Sequence, residues 1–329
     1  MSNIMINENC NQKCPYCFAS EFVNVKKNNM SFENFKKAVD FILTKNDGGK
    51  VGQVGIIGGE PLLHPEFDTF INYLINRDDV KRVTVFTNGV LIKEHIDYIA
   101  NEKVGVLINV NSPNDVGQAN FEKTVEAIDL LVNKYNKKNR LTIGLNIYAN
   151  IDYSFFIDIA EKYNVNQVRL SIVVPAYGTE KTGLEHFLSL KNKVLEITKS
   201  LLVRGIAFKF DCNLPAPCIW SEQELQDMEL MGLCTHTRML IPLEQSVCQP
   251  VIDILPNLTA IRCFGMSDIS KVNISDFKNI SDLREYYIEK YDNIISKKPI
   301  NEKCKQCKLF PTKCYGGCLA NRKEIWLWL

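Results

Sequence analysis

Six short apolar, β-branched runs alternate with helical patterns through the first two thirds of the chain, and that alternation leaves few folds open. The runs are Ile4 to Ile6, Val54 to Ile57, Val83 to Phe86, Val106 to Val110, Leu141 to Tyr148 and Val168 to Val174. Continuous hydrophobic stretches of this length, bounded by turn residues, read as buried strands. Ser31 to Leu43, Phe67 to Asn76, Lys93 to Asn101, Phe121 to Tyr135 and Tyr153 to Tyr163 read as the helices between them. Six β-then-α repeats predict an α/β fold with a parallel sheet and helices outside, and such sheets carry their functional loops at the C-terminal ends of the strands. At 329 residues, 46% of them hydrophobic, the chain can bury a core of that size and still build a smaller second unit. Beyond Pro175 the alternation loosens. Leu184 to Arg204 reads as a long amphipathic helix and Ile206 to Phe210 as a strand, and a domain boundary is expected near Asp211.

The loops after the first two strands hold the chemistry. Cys10, Cys14 and Cys17 stand in Cys-Asn-Gln-Lys-Cys-Pro-Tyr-Cys. Three thiolates leave one iron of a [4Fe-4S] cube without a protein ligand, and that iron can hold a small molecule by its amine and carboxylate. A zinc site or unpaired buried thiols is the plainer alternative. After the second strand come Gly58 and Gly59, which let backbone approach a ligand closely, and Glu60, a carboxylate suited to an ammonium group. Thr87-Asn88-Gly89 follows the third strand, and Asn109, Asn111 and Ser112 follow the fourth with small polar groups suited to a ribose or carboxylate. All of these are also ordinary turn residues. Arg169 and Ser171 on the sixth strand present a buried charge that needs a partner, either a cofactor carboxylate or an internal salt bridge.

The cysteine spacing of three and then two residues resembles the signature of the radical SAM superfamily, with Tyr16 in the aromatic slot that borders the adenine. In that family the matching Gly-Gly-Glu contacts the amino group of methionine. The resemblance implies S-adenosylmethionine on a [4Fe-4S] cluster held by Cys10, Cys14 and Cys17, and a partial (β/α)6 TIM-like barrel followed by a C-terminal cysteine-rich iron-sulfur domain. It implies a barrel core over 1–210 and an auxiliary-cluster domain over 211–329. The expected chemistry is reductive cleavage to a 5'-deoxyadenosyl radical that abstracts hydrogen from an unactivated C–H bond, under anaerobic conditions.

Downstream, Cys248 and Cys263 bracket a stretch that reads as a hairpin turning near Pro256-Asn257, and Cys304, Cys307, Cys314 and Cys318 follow. A Cys-x-x-Cys pair with two further cysteines close behind is a metal signal, with zinc the first alternative to iron-sulfur. The pattern is similar to the SPASM extension of peptide-maturing radical SAM enzymes, which holds two auxiliary [4Fe-4S] clusters. That resemblance assigns Cys248, Cys263 and Cys318 to the first and Cys304, Cys307 and Cys314 to the second. Three departures accompany it: Asn257-Leu258 stand where a glycine is usual, the second gap in the run is six residues instead of five, and no cysteine follows Cys318. Cys234 is the candidate fourth ligand of the first cluster, while the second lacks its usual fourth. A single cluster held by Cys248, Cys263, Cys304 and Cys307 is the alternative. Cys212 and Cys218 are left over. They read as small buried hydrophobes or, as in some peptide epimerases of the family, as hydrogen-atom donors, with Asp211 as proton acceptor or as anchor for a substrate amine.

Acidic and basic residues balance to a net charge of +1, which gives no footprint for nucleic acid or an anionic membrane. No apolar run reaches the length of a membrane span and no signal peptide opens the chain, so a cytoplasmic protein is expected. Twelve cysteines in a reducing compartment then read as ligands or catalytic thiols before disulfides. Family resemblance implies a ribosomally made precursor peptide as substrate, gaining a crosslink, a thioether or an epimerised residue, with a flavodoxin or ferredoxin as electron donor. Nine residues precede Cys10, which leaves no room for an N-terminal peptide-recognition domain. Either a separate leader-peptide-binding protein or direct binding in the barrel is therefore expected. Sulfatase maturation is disfavoured because Phe264, not an aspartate, follows Cys263. A small-molecule dehydrogenase of the single-auxiliary-cluster type and a non-catalytic iron-sulfur or zinc protein are the other readings. The apolar ending Ile325-Trp326-Leu327-Trp328-Leu329 is expected to pack against the extension.

Overall fold

A computed structural model describes residues 2–17, 19–44, 52–165, 167–174, 183–213, 215–230, 248–312 and 314–322. Cys234 and the apolar ending lie outside these residues.

All six predicted strands form. They are β1 (Asn3–Met5), β2 (Gln53–Ile57), β3 (Arg82–Thr87), β4 (Val104–Asn109), β5 (Leu141–Ile147) and β6 (Val168–Ile172), each parallel to its neighbour. The short β7 (Phe208–Phe210) continues the row beside β6. The helices between them are α1 (Phe32–Leu43), α2 (Phe67–Ile75), α3 (Ile96–Ile99), α4 (Pro113–Val116), α5 (Gln118–Asp129), α6 (Ser154–Tyr163) and α7 (Gly183–Val203). Two helices depart from the periodicity reading. Lys93 to Asn101 opens with a 3-10 turn over Ile92–His95 before α3. Phe121 to Tyr135 begins earlier, at Gln118, and closes in a π turn over Leu130–Lys134.

The cysteine-flanked hairpin is β8 (Asp253–Ile254) and β9 (Thr259–Ile261), with β10 (Lys271–Asn273) antiparallel beside β9. Its first strand lies parallel to β1, with Asn3 opposite Asp253, so one ten-stranded sheet runs β10-β9-β8-β1-β2-β3-β4-β5-β6-β7. The expected boundary near Asp211 falls just after β7, within the span of this sheet. Leu258 in the hairpin turn has φ +67°, so the chain keeps the left-handed conformation there without the glycine that favours it. In the α/β class this is a parallel-dominated partial barrel.

Alternation along the strands separates two faces. One carries Ile4, Val54, Ile56, Val83, Val85, Ile108, Ile143 and Leu170, all fully buried in the main core with Phe35, Ile42, Phe67 and Phe70 from α1 and α2. Helix α1 begins where the Ser31 side chain accepts a hydrogen bond from the Asn34 N–H, and it buries Phe35, Ala38, Val39 and Ile42 on one stripe. The opposite face is largely small or polar, with Asn3, Gly55, Thr84, Gly105, Asn109, Gly144, Arg169 and Ser171. Toward the hairpin edge Met5 and Ile57 on that face meet a second apolar cluster, with Ala19 and Phe22 from the cysteine loop and Leu255, Ile261 and Phe264 from the hairpin. Burying side chains of this kind is worth roughly 1.5–3 kcal/mol each. The cluster therefore fixes the cysteine loop against both sheet and hairpin. Among the described residues no helix is long and apolar enough to cross a membrane.

Candidate active site at the strand ends

Loop 6–30, between β1 and α1, is pinned at several points by asparagines. The Cys10 N–H donates to Asn24 Oδ1 at 3.0 Å, and Asn24 Nδ2 donates back to the Cys10 carbonyl at 3.1 Å. Asn88 Nδ2, from the turn after β3, donates to Asn11 Oδ1 at 2.7 Å. Beyond β4, Asn111 Nδ2 donates to Gln12 Oε1 at 3.0 Å and reaches Cys14 Sγ at 3.5 Å, while Tyr16 donates its O–H to Asn111 Oδ1 at 2.6 Å. Tyr16 also stacks on Tyr148 with ring centroids 4.8 Å apart, and Tyr148 donates to Asp115 at 2.5 Å. Ser112 caps α4 by accepting from the Asn114 N–H.

Gly58 and Gly59 are required by the protein itself. A Cβ on Gly58 would stand 2.3 Å from Asn7 Oδ1, and one on Gly59 would stand 2.3 Å from the Asn9 carbonyl oxygen and 3.0 Å from Cys10 Cβ. Both glycines thus let the second loop press against the segment that leads into Cys10. Hydrogen bonds from the Gly59 and Glu60 N–H groups to the Asn7 and Asn9 carbonyls complete the contact. The Glu60 carboxylate is almost sealed from water. It accepts from Thr87 Oγ1 at 2.7 Å, from the Asn88 N–H at 2.8 Å and from the Leu62 N–H at 3.2 Å. Burial pushes its pKa up to about 7 in spite of these donors.

The three thiols of this loop share one small region. Burial raises Cys10 to about 11 and Cys14 to about 12, with mutual repulsion among Cys10, Cys14 and Cys17 adding to it, and burial raises Cys17 as well. Each must lose its proton to ligate iron, so loading the site releases protons. Among the described residues no three or more such side chains are arranged to hold a single metal ion, whereas a cubane spreads its thiolates over separate irons. Asn109 Oδ1 is buried at the end of β4 with no hydrogen-bond partner. It faces Gly144 on β5, where a Cβ would stand 3.0 Å from it.

Arg169 is ion-paired with Asp211, and Asn213 Nδ2 donates to Ser171 Oγ at 3.1 Å and to the Ile172 carbonyl. A recess of about 330 Å³ runs along β5 to β7, lined in part by Thr142, Arg169, Lys209 and Asp211. It lies beside the strands, not over the cysteine loop.

Of the downstream cysteines, Cys248 and Cys263 are brought to one guanidinium, and among the described residues no three such side chains are arranged to hold a single metal ion. Cys248 and Cys263 flank the hairpin and share the Arg262 guanidinium, which lies 3.4 Å from Cys248 Sγ and 3.8 Å from Cys263 Sγ. Arg262 is itself paired bidentately with buried Asp292, at 2.6 and 2.7 Å. A hydrogen bond from Cys318 and the Arg262 charge hold the Cys248 thiol well below its usual range. Cys304 and Cys314 are buried, Cys304 with its N–H donating to Asn301 Oδ1 and Cys314 with its sulfur facing the Gly316 N–H at 3.3 Å. Cys307 is exposed.

Sequence reasoning missed Asn24, Asn7, Gln12, Arg262 and Asp292. Nothing local marks them, because each acts on a partner brought close only by the fold. It also missed Asp253, buried on β8 and hydrogen-bonded by Asn3 at 2.7 Å, whose carboxyl burial raises to about 7.

At the strand ends of this parallel partial barrel, the first loop carries three thiols and the Gly-Gly-Glu turn after β2 presses against the segment leading into them. Residues 4–151 match the family model described as Radical SAM superfamily, and this part of the chain is a radical SAM domain. The radical SAM cyclopropyl synthase TigE of Paramaledivibacter caminithermalis is 24% identical over 231 residues, 62% of this chain and 47% of that protein. A GTP 3',8-cyclase of Alkaliphilus oremlandii is 23% identical over 194 residues, 56% of this chain and 60% of that protein. The chain therefore spans about half the length of the curated relatives it matches. Among solved structures, Streptococcus suis SuiB bound to S-adenosylmethionine superposes with TM-score 0.64 at 18% identity, covering 97% of this chain and 72% of SuiB. Histidine-tagged anSMEcpe with bound AdoMet gives TM-score 0.64 at 20% identity, covering 96% of this chain and 84% of anSMEcpe. At these identities the likeness establishes the fold.

Proposed function

We propose that this protein is a radical SAM enzyme that cleaves S-adenosylmethionine reductively and abstracts hydrogen from a peptide substrate. The observation that carries the reading is the thiol trio of Cys10, Cys14 and Cys17, locked by Asn24, Asn88 and Asn111 against the Gly58-Gly59-Glu60 turn. When bound, a [4Fe-4S] cluster with S-adenosylmethionine supplies the electron and the carbon radical. The chain's part is to hold and orient. Cys10, Cys14 and Cys17 ligate three irons, and Asn109 Oδ1 offers an unpaired acceptor to the cofactor. Glu60 draws an ammonium group toward a buried carboxyl, and Tyr16 borders the adenine.

A peptide substrate is supported by the fold likeness to SuiB, over 97% of this chain and 71% of SuiB, which has been seen bound to its precursor peptide SuiA. Cys248, Cys263 and Cys318 belong to one auxiliary [4Fe-4S] cluster and Cys304, Cys307 and Cys314 to another, in a domain over 211–329 that adjoins the barrel core of 1–210. A flavodoxin or ferredoxin supplies electrons in a cytoplasmic setting, and a leader-peptide-binding protein delivers the substrate. The match to GTP 3',8-cyclases favours a second reading, a nucleotide-like small molecule as substrate.

Anaerobic reconstitution followed by dithionite and S-adenosylmethionine tests the enzyme reading. Formation of 5'-deoxyadenosine is expected, and its complete absence from a fully loaded protein would sink the proposal. Incubation with peptides encoded beside the gene then separates the substrate readings by which mixture changes mass.

A further inference from the structure

Two histidines stand beside the Glu60 turn, and their surroundings demand different protonation. His64 Nε2 faces the Met30 carbonyl at 3.0 Å, and its Nδ1 accepts from the Glu66 N–H at 3.0 Å. One nitrogen donates and the other accepts, so that ring is neutral. His95 ends the 3-10 turn that leads into α3, and its two nitrogens are placed differently. Its Nδ1 lies 2.7 Å from Asp68 Oδ1 and its Nε2 lies 3.0 Å from the Leu62 carbonyl oxygen. A carboxylate and a carbonyl can only accept. A neutral ring would turn a bare lone pair on one of them, whereas an imidazolium donates to both. Asp68 stands in the first turn of α2 with its side chain 42% exposed, where helix and water both favour the carboxylate form.

Leu62 passes this anchorage to the site. Its carbonyl accepts from His95 while its own N–H donates to Glu60 Oε1 at 3.2 Å, so one residue links the ring to the carboxylate. Phe67, the first residue of α2, meets the imidazole edge-on with ring centroids 5.0 Å apart and holds it in place. The three donors that reach the Glu60 carboxylate, from Thr87, Asn88 and Leu62, are all neutral. The His95 charge adds a cation behind them and opposes the burial that raises Glu60. The other charged groups of these elements, Glu66, Lys93, Glu94 and Asp97, are exposed, and Lys93 is paired with Glu126.

We propose that His95 is an imidazolium held between Asp68 and the Leu62 carbonyl, and that it is the positioning residue that sets Glu60 to receive the ammonium group of S-adenosylmethionine. The inference rests on the cofactor reading above for what Glu60 meets, and deepens it by naming what prepares that carboxylate. His95 acts in two ways. Through Leu62 it fixes the turn, and through its charge it favours the ionised carboxylate that an ammonium group needs.

The test uses the full chain with nitrogen-15 in its histidine rings, reconstituted anaerobically and kept oxidised. Four histidines give a sparse spectrum, and His95→Gln identifies the signals that matter. At pH 7, His95 should carry hydrogen on both ring nitrogens and His64 on one. Asp68→Asn should bare a nitrogen of His95, since the oxygen it faces then carries no charge. Binding of S-adenosylmethionine to the same proteins is measured by equilibrium dialysis at pH 6.5 and pH 8.5. His95→Gln should bind about tenfold more weakly at pH 6.5, the loss of one charge-assisted interaction. The gap should narrow at pH 8.5, where Glu60 ionises with or without a cation behind it. A bare nitrogen on His95 in the parent at pH 7 would overturn the proposal. So would undiminished affinity in the variant, or a deficit equal at both pH values, which is what a merely structural role gives. A parent that carries its first-loop cluster and binds no S-adenosylmethionine at either pH would overturn the cofactor reading instead, with the ring spectrum still deciding the protonation of His95. Should His95→Gln fail to fold, Asp68→Asn takes its place in the binding comparison, with the same narrowing expected and the same outcomes counting against the proposal.

Discussion

The side chain of Asn24 closes both hydrogen bonds of the Cys10 peptide, accepting from its N–H at 3.0 Å and donating to its carbonyl at 3.1 Å. Asn24 does so from a left-handed backbone, with φ +61°. The clamp presets the first thiol before any iron arrives. Asn24→Ala removes two hydrogen bonds worth roughly 1 kcal/mol each and keeps a Cβ at positive φ. Asn24→Gly removes the same bonds but relieves about 1 kcal/mol of backbone strain. Both variants should surrender iron from the first loop to a chelator several-fold faster than the parent, with the glycine variant the more stable of the two. Equal release rates in parent and variants would show that the clamp has no part in holding the ligand.

Glu60 makes stability fall with rising pH. Its carboxyl titrates near pH 7 in the folded chain, against an ordinary value of 4.5, because burial disfavours the charged form. The group costs nothing below pH 4.5, its penalty grows between 4.5 and 7, and the whole penalty is present above 7. The difference corresponds to roughly 3 kcal/mol. Glu60→Gln sets an amide N–H₂ against Thr87 or Asn88, both donors, and costs about 1–3 kcal/mol at acid pH. Urea unfolding of the iron-free chain at pH 5 and pH 8 should therefore show the variant's deficit shrinking, or reversing, at the higher pH. Asp253 is displaced in the same direction, so the comparison is parent minus variant, in which its contribution cancels. Parallel pH dependence in the two proteins would contradict the placement of this carboxyl.

Gly59→Ala should disable the first loop. The new Cβ would meet the Asn9 carbonyl oxygen at 2.3 Å, and that oxygen is backbone, which has no side-chain rotamer to swing away. Overpacking of this kind costs about 1–3 kcal/mol, and here the displacement is passed directly to Cys10. Gly117→Ala is the control: its Cβ would enter open space, and at φ +83°, ψ +147° the cost is backbone strain alone, about 1–3 kcal/mol. Iron content after reconstitution should drop by about one cluster in Gly59→Ala and stay unchanged in Gly117→Ala. Normal loading of the Gly59 variant would refute the close-approach account.

The strands and the two opening motifs were legible because they are local: β-branched runs set the sheet, and three cysteines in eight residues set the loop. What the sequence hid was partnership at a distance. Asn88 reads as a turn residue, yet it supports both Glu60 and Asn11. Gly59 reads as room for a ligand, and the atoms it makes room for belong to Asn9. The hairpin reads as part of a separate extension, and pairing of β8 with β1 joins it to the barrel sheet.

Arg262 and Asp292 form a buried ion pair on which two cysteines depend. Both side chains are 3% exposed, and the guanidinium spends its remaining donors on Cys248 and Cys263. Removing one member of such a pair leaves the other charge uncompensated, at a cost of about 3–5 kcal/mol. Arg262→Met should therefore destabilise the chain by that amount. It should also take from Cys248 a cation that favours its thiolate. Asp292→Asn keeps the arginine and its contacts with both sulfurs, so it should lose stability without the second effect. Alkylation of Cys248 by iodoacetamide at pH 7, followed by mass spectrometry of the iron-free protein, distinguishes them. Labelling should slow several-fold in Arg262→Met and hold or rise in Asp292→Asn. If both variants slow it equally, the guanidinium is not what tunes this thiol.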